Sequence, residues 1–382
     1  MKISKRMFAV ALAGFCTFLD LYAPQSLLPL FTRVFHASEV EVSLTISATT
    51  IAVALAAPIV GVCSDRLGRK RVISAAIFAV AVPTLLAATS TGLHQLIGWR
   101  FVQGLFMPGI FAVTMAYISE EWRGKGDGSA MAAYITGNVV GGFAGRFLSG
   151  LIAAQFGWRW AFVLLGILNL LGGIAVCIWL PASRHFVRQT SIRASVQAMG
   201  VHLRNPYLIA AYAAGFNILF SIVAGFTYVN FYLAAPPFQL GTVALGSIFF
   251  VYLIGAVITP IAGRWIDRVG YRTIFITALT IGCFGILLTL SATLWSVIAG
   301  LAVFATGIFI CQSAATSYVG MAAGYARSSA AGLYVAFYYM GGSFGAIVPG
   351  FFWHLGGWFA CVGLIVFIQF CTACLAFVYW RK

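Results

Sequence analysis

One carboxylate, Asp20, lies inside an apolar run that extends from Met7 to Phe31. A lone acid in hydrocarbon is costly unless it is neutral, paired or beside water. Such a group is suited to taking up and releasing a proton. Two arginines, Arg100 and Arg146, also fall inside apolar runs. At a rise of about 1.5 Å per residue, Asp20 sits about 20 Å into its run. Arg100 enters from the opposite side by about 9 Å, roughly the same level of a ~30 Å hydrocarbon core, and Arg146 lies within a turn of that layer. An Asp20–Arg100 pair would let both charges be tolerated, and protonation of Asp20 would release or re-aim the arginine. The structural alternative is a buried ion pair that only fixes helix packing. Arg146 has two readings, an inward-facing cation or a side chain that snorkels to the outer interface.

These charges need a membrane to be informative, and the composition supplies one. The chain has 382 residues, is 62% hydrophobic and only 8% charged, against about 25% charged in soluble domains. Breaks at charged, Gly and Pro positions divide it into twelve apolar spans with approximate limits 7–31, 43–63, 72–91, 94–118, 129–153, 160–180, 207–233, 242–263, 273–291, 294–319, 328–352 and 358–380. The net charge of +15 does not point to nucleic acid, because the basic residues sit in short loops between the apolar spans. Of the 23 Lys and Arg, all but Arg33, Arg159 and the two buried arginines fall on one side. By the positive-inside rule that side, with both termini, is cytoplasmic. The segment MKISKR leads into a span too long for a signal-peptide core, so the first span is expected to be retained, with no soluble domain appended. The eight cysteines fall in or at the ends of spans and read as small apolar filler, including Cys371 and Cys374. The basic loop Pro181 to Pro206 divides the chain into an N-terminal half, 1–180, and a C-terminal half, 207–382, and carries an expected interfacial helix from Arg188 to Leu203.

The halves repeat each other. Gly61, Asp65, Arg66 and Gly68 recur 202 residues on as Gly263, Asp267, Arg268 and Gly270, and the basic run Arg69 to Arg71 is echoed by Arg272 in the place of Lys70. Ser129, Tyr134, Gly141, Gly142, Gly145 and Gly150 recur 200 residues on as Ser329, Tyr334, Gly341, Gly342, Gly345 and Gly350, as Trp158 does in Trp358. Copies of equal orientation imply two six-helix bundles related by an axis along the membrane normal. Asp20, Arg100 and Arg146 match Ile222, Leu301 and Ala346, so all three buried charges are additions to one copy of the scaffold.

The duplicated G-x-x-x-D-R-x-G loop resembles motif A of the major facilitator superfamily, and the resemblance covers the whole chain. Arg100-Phe-Val-Gln103-Gly104 resembles the family's motif B. Leu19 to Pro29 is similar to the drug:proton antiporter branch, and Gly137 to Arg146 to YnfM-type permeases. The resemblance implies an all-α transporter working by alternating access, with Asp65, Arg66, Arg69, Glu120 or Glu121, Asp267 and Arg268 as a cytoplasmic latch. The competing reading of those loops is charge that only fixes orientation. Motif C is altered: its proline is Gly142 and its last glycine Arg146, which suggests a site attractive to anions.

The expected function is proton-coupled efflux of a small organic compound across a bacterial inner membrane. Asp20 would carry the proton with Arg100 as partner. Arg146, Asn138, Asn217, Tyr228, Asn230, Gln312, Tyr334 and Tyr338 would contact substrate, since aromatic walls with a few amides suit an amphiphilic ligand. Tyr228, Tyr232 and Tyr318 fit an interfacial belt equally well. The rivals are uptake or exchange of an organic anion and, from another class, a non-transporting membrane sensor. No metal-ligand set, catalytic triad, cofactor motif or nucleotide-binding loop is evident, so neither enzyme nor primary pump is expected. The expected partners are substrate, protons and lipid, not nucleic acid, with a monomer as the family expectation.

Overall fold

The computed structural model describes residues 5–122, 127–183, 197, 199–324 and 327–380, omitting side chains at 61–63, 65, 127, 128, 260, 267, 327 and 328. Its described residues include eleven helical segments long and apolar enough to cross a membrane. The last, Ser329–Tyr379, is 51 residues long. Its helix loses helical geometry at Gly356 and Gly357 (φ 59°) and so supplies two crossings, for twelve in all. The interfacial helix expected over Arg188 to Leu203 lies mostly outside the described residues.

Span 1 is composite: a helix Lys5–Leu21, a 3-10 turn Ala23–Leu27 and a helix Leu28–Phe35. Spans 2 and 3 are Glu39–Leu67 and Arg69–Ala87. Span 4 joins Leu93–Phe106 to Pro108–Glu121, and spans 5 and 6 are Asp127–Phe156 and Trp158–Trp179. In the second half, span 7 is the unbroken helix Pro206–Ala234. Span 8 runs from Thr242 to Val269 through a 3-10 turn, Phe249–Leu253. Spans 9 and 10 are Tyr271–Leu288 and Leu294–Ala322, and Arg327–Tyr379 holds spans 11 and 12. Spans 1, 2 and 5 extend beyond their apolar runs at both ends, whereas spans 3 and 9 start earlier and stop short of the ends expected for them.

Two compact units emerge from the contacts. Unit 1 comprises Met1–Ala37, Ala48–Thr190 and Gly241–Phe249; unit 2 comprises Ser38–Ser47, Ser191–Leu240 and Phe250–Lys382. The internal repeat is visible in the backbone of each. Gly68 before span 3 and Gly270 before span 9 take φ of 89° and 90°, a region that residues with a Cβ rarely enter. That accounts for glycine in both copies of the loop.

Within unit 1, spans 1 and 5 touch backbone to backbone. A Cβ on Gly137, Gly141 or Gly145 would strike the main chain of Ala11, Phe15 or Leu19 respectively. Within unit 2, Gly341 and Gly345 bear in the same way on Phe216 and Phe220 of span 7. Small residues are the general means of close helix approach where lipid provides no hydrophobic drive. The contacts fix the register between copies: Phe15 matches Phe216 and Leu19 matches Phe220, an offset of 201. Asp20 therefore corresponds to Ser221 rather than to Ile222, a correction of one residue that leaves the counterpart uncharged. Gly141→Val is expected to destabilise the protein by about 3 kcal/mol or more, the upper end for overpacking. Gly98→Ala, whose Cβ meets nothing within 4 Å, should melt at or slightly above the wild-type temperature in detergent. Equal melting of the two variants would show that spans 1 and 5 do not need this contact.

Candidate functional site

The polar centre of unit 1 begins with a proline. In a continuous helix the Asp20 carbonyl would accept from residue 24, but Pro24 has no N–H. The Gln25 N–H turns instead to the Tyr22 carbonyl at 3.0 Å, so the Leu21 carbonyl loses its usual donor too. Arg100 of span 4 supplies both missing donors: Nη1 lies 2.9 Å from the Asp20 carbonyl and Nη2 lies 2.6 Å from that of Leu21. Nη1 also donates to Gln103 Oε1, one turn on. Arg100 is 0% exposed. The matching point of unit 2 has Gly225 for Pro24, Leu301 for Arg100 and an unbroken helix. The break and the arginine occur together and are missing together.

This alters the expected Asp20–Arg100 pairing. The guanidinium grips the main chain around Asp20 and Gln103, all oxygens whose accepting power does not depend on the acid's proton. Protonation of Asp20 therefore does not by itself release the arginine. The carboxylate, 0% exposed, is held through Oδ2, which accepts from Asn169 Nδ2 of span 6 and lies 3.1 Å from Thr84 Oγ1 of span 3. Thr84 in turn accepts from Gln103 Nε2 at 2.6 Å and lies 2.7 Å from the Val80 carbonyl. A hydroxyl has one proton, so Thr84 donates either to Val80 or to Asp20 at any moment. Asp20 Oδ1 and Asn169 Oδ1, both buried, have no hydrogen-bond partner.

Arg146 is 2% exposed and does not snorkel. Its Nε donates to Gln25 Oε1 of span 1 at 2.7 Å and Nη1 to the Gly142 carbonyl at 2.6 Å. The guanidinium carbon lies 5.0 Å from the centroid of Tyr22 and 4.5 Å from that of Phe249. Aromatic faces of this kind stabilise a desolvated cation by about 2 kcal/mol. Asn138, on the same helix, faces span 1 at Gly14, and its Oδ1 is buried without a partner.

At the far end of unit 1, Arg69 is nearly buried and pairs with Glu120 (Nη2 to Oε1 2.6 Å), while Arg6 reaches Glu121 at 3.4 Å. Of the two acids named for the latch, Glu120 thus meets Arg69, and Glu121 has a different partner. Arg66 and Arg268 are exposed. The side chains of Asp65 and Asp267, in the last turns of their helices, lie outside the described residues.

In unit 2, Tyr334 donates to Gln312 Oε1 at 3.1 Å, and its ring stacks on Tyr338 with centroids 5.9 Å apart. Those three candidates come together. The others are used in packing: Asn217 donates to Thr372 Oγ1 at 2.7 Å, Asn230 to the Phe226 carbonyl at 2.6 Å and Tyr228 to the Ala346 carbonyl at 2.9 Å. Tyr228 and Tyr318, 0% and 1% exposed, are core residues and not members of an interfacial belt. Among the described residues no group of three or more His, Cys, Asp or Glu is placed to hold a metal.

The sequence reading passed over Thr84, Asn169 and Gln25. The available signal was weak but present: Asn169 is the one amide in the apolar run Trp158–Trp179.

Comparison with known proteins agrees with this architecture. The chain is 36% identical over 365 residues to the uncharacterized MFS-type transporter YybF of Bacillus subtilis, covering 95% of this chain and 90% of that one. It is 33% identical over 360 residues to the inner membrane transport protein YnfM of Escherichia coli, covering 94% and 85%. Among solved structures, a bacterial homolog of the human lysosomal transporter Spinster, inward-facing and unoccupied, superposes with a TM-score of 0.80 at 13% identity, covering 98% of this chain and 96% of that one. The model of the Major Facilitator Superfamily matches residues 10–258, more than half the length, and with these relatives it establishes that the chain belongs to that superfamily of membrane transporters.

Proposed function

We propose that the protein is a proton-coupled secondary transporter that exports a small organic compound across the bacterial inner membrane by alternating access. Asp20 is the proton-carrying acid. The observation that carries this reading is the Asp20 cluster: a sealed carboxyl with one oxygen lacking a donor, beside an arginine anchored to main-chain carbonyls. Such an acid can change charge without dismantling the packing around it. Arg100 acts as its electrostatic partner and as the cap of span 1. Arg146, Asn138 and the face formed by Gln312, Tyr334 and Tyr338 are the candidates for substrate contact; Asn217, Tyr228 and Asn230 are less so, being engaged in packing. Arg69 with Glu120 belongs to the cytoplasmic latch, with both termini on that side, and the transporter works as a monomer.

A second reading is supported by charge. Asp20, Arg100 and Arg146 together carry +1 with the acid ionised and +2 with it protonated, which favours an organic anion as cargo. An anion carrier loses affinity on Arg146→Gln.

The test is reconstitution in liposomes with a trapped pH dye, adding drugs, sugars, amino acids and organic acids in turn. Substrate-triggered proton movement supports the proposal and names the ligand class. Substrate flux without any proton signal overturns it in favour of facilitated diffusion or anion exchange. Binding with no flux of any kind points to a membrane sensor.

A further inference from the structure

Two buried oxygens without partners belong to side chains that are already bonded to each other. Asn169 Nδ2 donates to Asp20 Oδ2, which leaves Asp20 Oδ1 and Asn169 Oδ1. Both are pure acceptors when Asp20 is ionised, and both side chains are 0% exposed. Buried polar atoms are nearly always satisfied, so two orphans on one bonded pair call for a common cause. A single proton supplies it. With the proton on Oδ1, the carboxyl O–H donates to the Asn169 carbonyl oxygen while the amide N–H donates back to Oδ2. The result is a cyclic acid–amide pair with both orphans satisfied at once.

The need for a proton is the same whichever way the amide is turned. Reversed, the amide oxygen would meet Asp20 Oδ2, and two acceptors in contact again need a proton between them. We infer that Asn169 is the positioning residue that recognises the protonated form of Asp20, tying span 6 to span 1 whenever the acid is loaded. On loading, the carboxylate gains a proton from water and forms one O–H bond; on release it returns that proton to water, and the amide oxygen is left facing an anion. The Thr84 hydroxyl follows: it can return its proton to Val80 when Oδ2 needs no donor, and turn it to Asp20 when the acid ionises. Two other titratable groups reach the same acid: the Arg100 guanidinium from span 4 and the neutral Cys16 thiol one turn earlier on span 1. Neither can accept a proton from the carboxyl as the amide oxygen can. The inference rests on the proton-carrying role proposed for Asp20, and its test does not require transport.

The test is infrared titration of the purified protein in lipid. The protonated-carboxyl band of Asp20 is identified by its loss in Asp20→Asn. In Asn169→Leu that band is expected to move to higher frequency, because its carbonyl loses the N–H donor. Its titration midpoint should fall by about one pH unit, a tenfold loss of proton affinity. A midpoint that stays or rises overturns the inference, since the amide would then only steady the carboxylate. Should Asn169→Leu fail to fold, the wild-type protein with carbon-13 in its asparagine amides gives a second measurement. One amide carbonyl should shift as pH crosses the Asp20 midpoint, and that shift should vanish in Asp20→Asn. Its absence from wild type overturns the pairing. Loss of proton-coupled flux as a property of the protein, with these shifts intact, sinks the transport proposal alone.

Discussion

Asp20→Asn is expected to yield a folded protein that still binds and exchanges its substrate but no longer drives it against a gradient. The fold survives because the asparagine amide presents to Asn169 the donor and acceptor that the protonated acid would present. Arg100 keeps its main-chain and Gln103 oxygens, and no buried anion is lost that it depends on for position. Coupling is lost because the amide has no proton to give up. Each unit of pH difference across a membrane is worth about 1.4 kcal/mol per proton, a factor of ten. For one-to-one exchange across a gradient of two units, the steady-state substrate ratio should fall from about a hundredfold to about one. Counterflow of labelled substrate, which needs no net proton movement, should remain. Both are read in liposomes, with melting temperature and binding as controls. Retention of the hundredfold ratio by Asp20→Asn removes Asp20 from the coupling path.

The parts of this fold that follow from a repeating physical requirement are legible in the sequence. Twelve crossings follow from apolar run length, and the duplicated Gly68 and Gly270 follow from a backbone conformation that needs no Cβ. The glycines of spans 5 and 11 are legible for a different reason: two helices can meet backbone to backbone only where no Cβ stands between them. The site is less legible because its geometry depends on which carbonyls are left without donors. Arg100 and Asp20 are conspicuous as charges, so pairing them by sign is natural. Sign alone does not reveal that Pro24 strips the donor from the Asp20 carbonyl, and a carbonyl carries no letter in a sequence. Asn169 is not legible as a site residue because a single amide in a 22-residue apolar helix has no spacing to interpret. Its meaning comes only from the acid that another span brings against it. The tyrosines illustrate the reverse. Tyr228 looks interfacial by type and position, yet its hydroxyl is spent on the Ala346 carbonyl in the core of unit 2.

Arg100→Leu should cost the most of any single change at the site. It removes a fully buried cation and leaves the carbonyls of Asp20 and Leu21 without donors beside a buried acid. Breaking a buried charge arrangement by deleting one member costs about 3–5 kcal/mol. Two separate losses make up that sum, and each has its own remedy. The electrostatic part is removed by Asp20→Asn, which takes away the uncompensated acid. The capping part is addressed by Pro24→Ala, which restores an N–H four residues after Asp20 and lets the helix close on its own carbonyl, worth about 1 kcal/mol for one hydrogen bond. In the Arg100→Leu background both changes should raise the melting temperature, and together by more than either alone. In the wild-type background Pro24→Ala should do little or harm, since Arg100 already fills the position. If Pro24→Ala gives the same shift in both backgrounds, the proline and the arginine act independently and Arg100 is not the cap of span 1. If Asp20→Asn alone restores full stability to Arg100→Leu, the arginine is there for charge, and the bonds to the backbone follow from its placement. The expected division, a larger electrostatic share and a smaller capping share, is that of an arginine whose position does not depend on whether the acid beside it is charged.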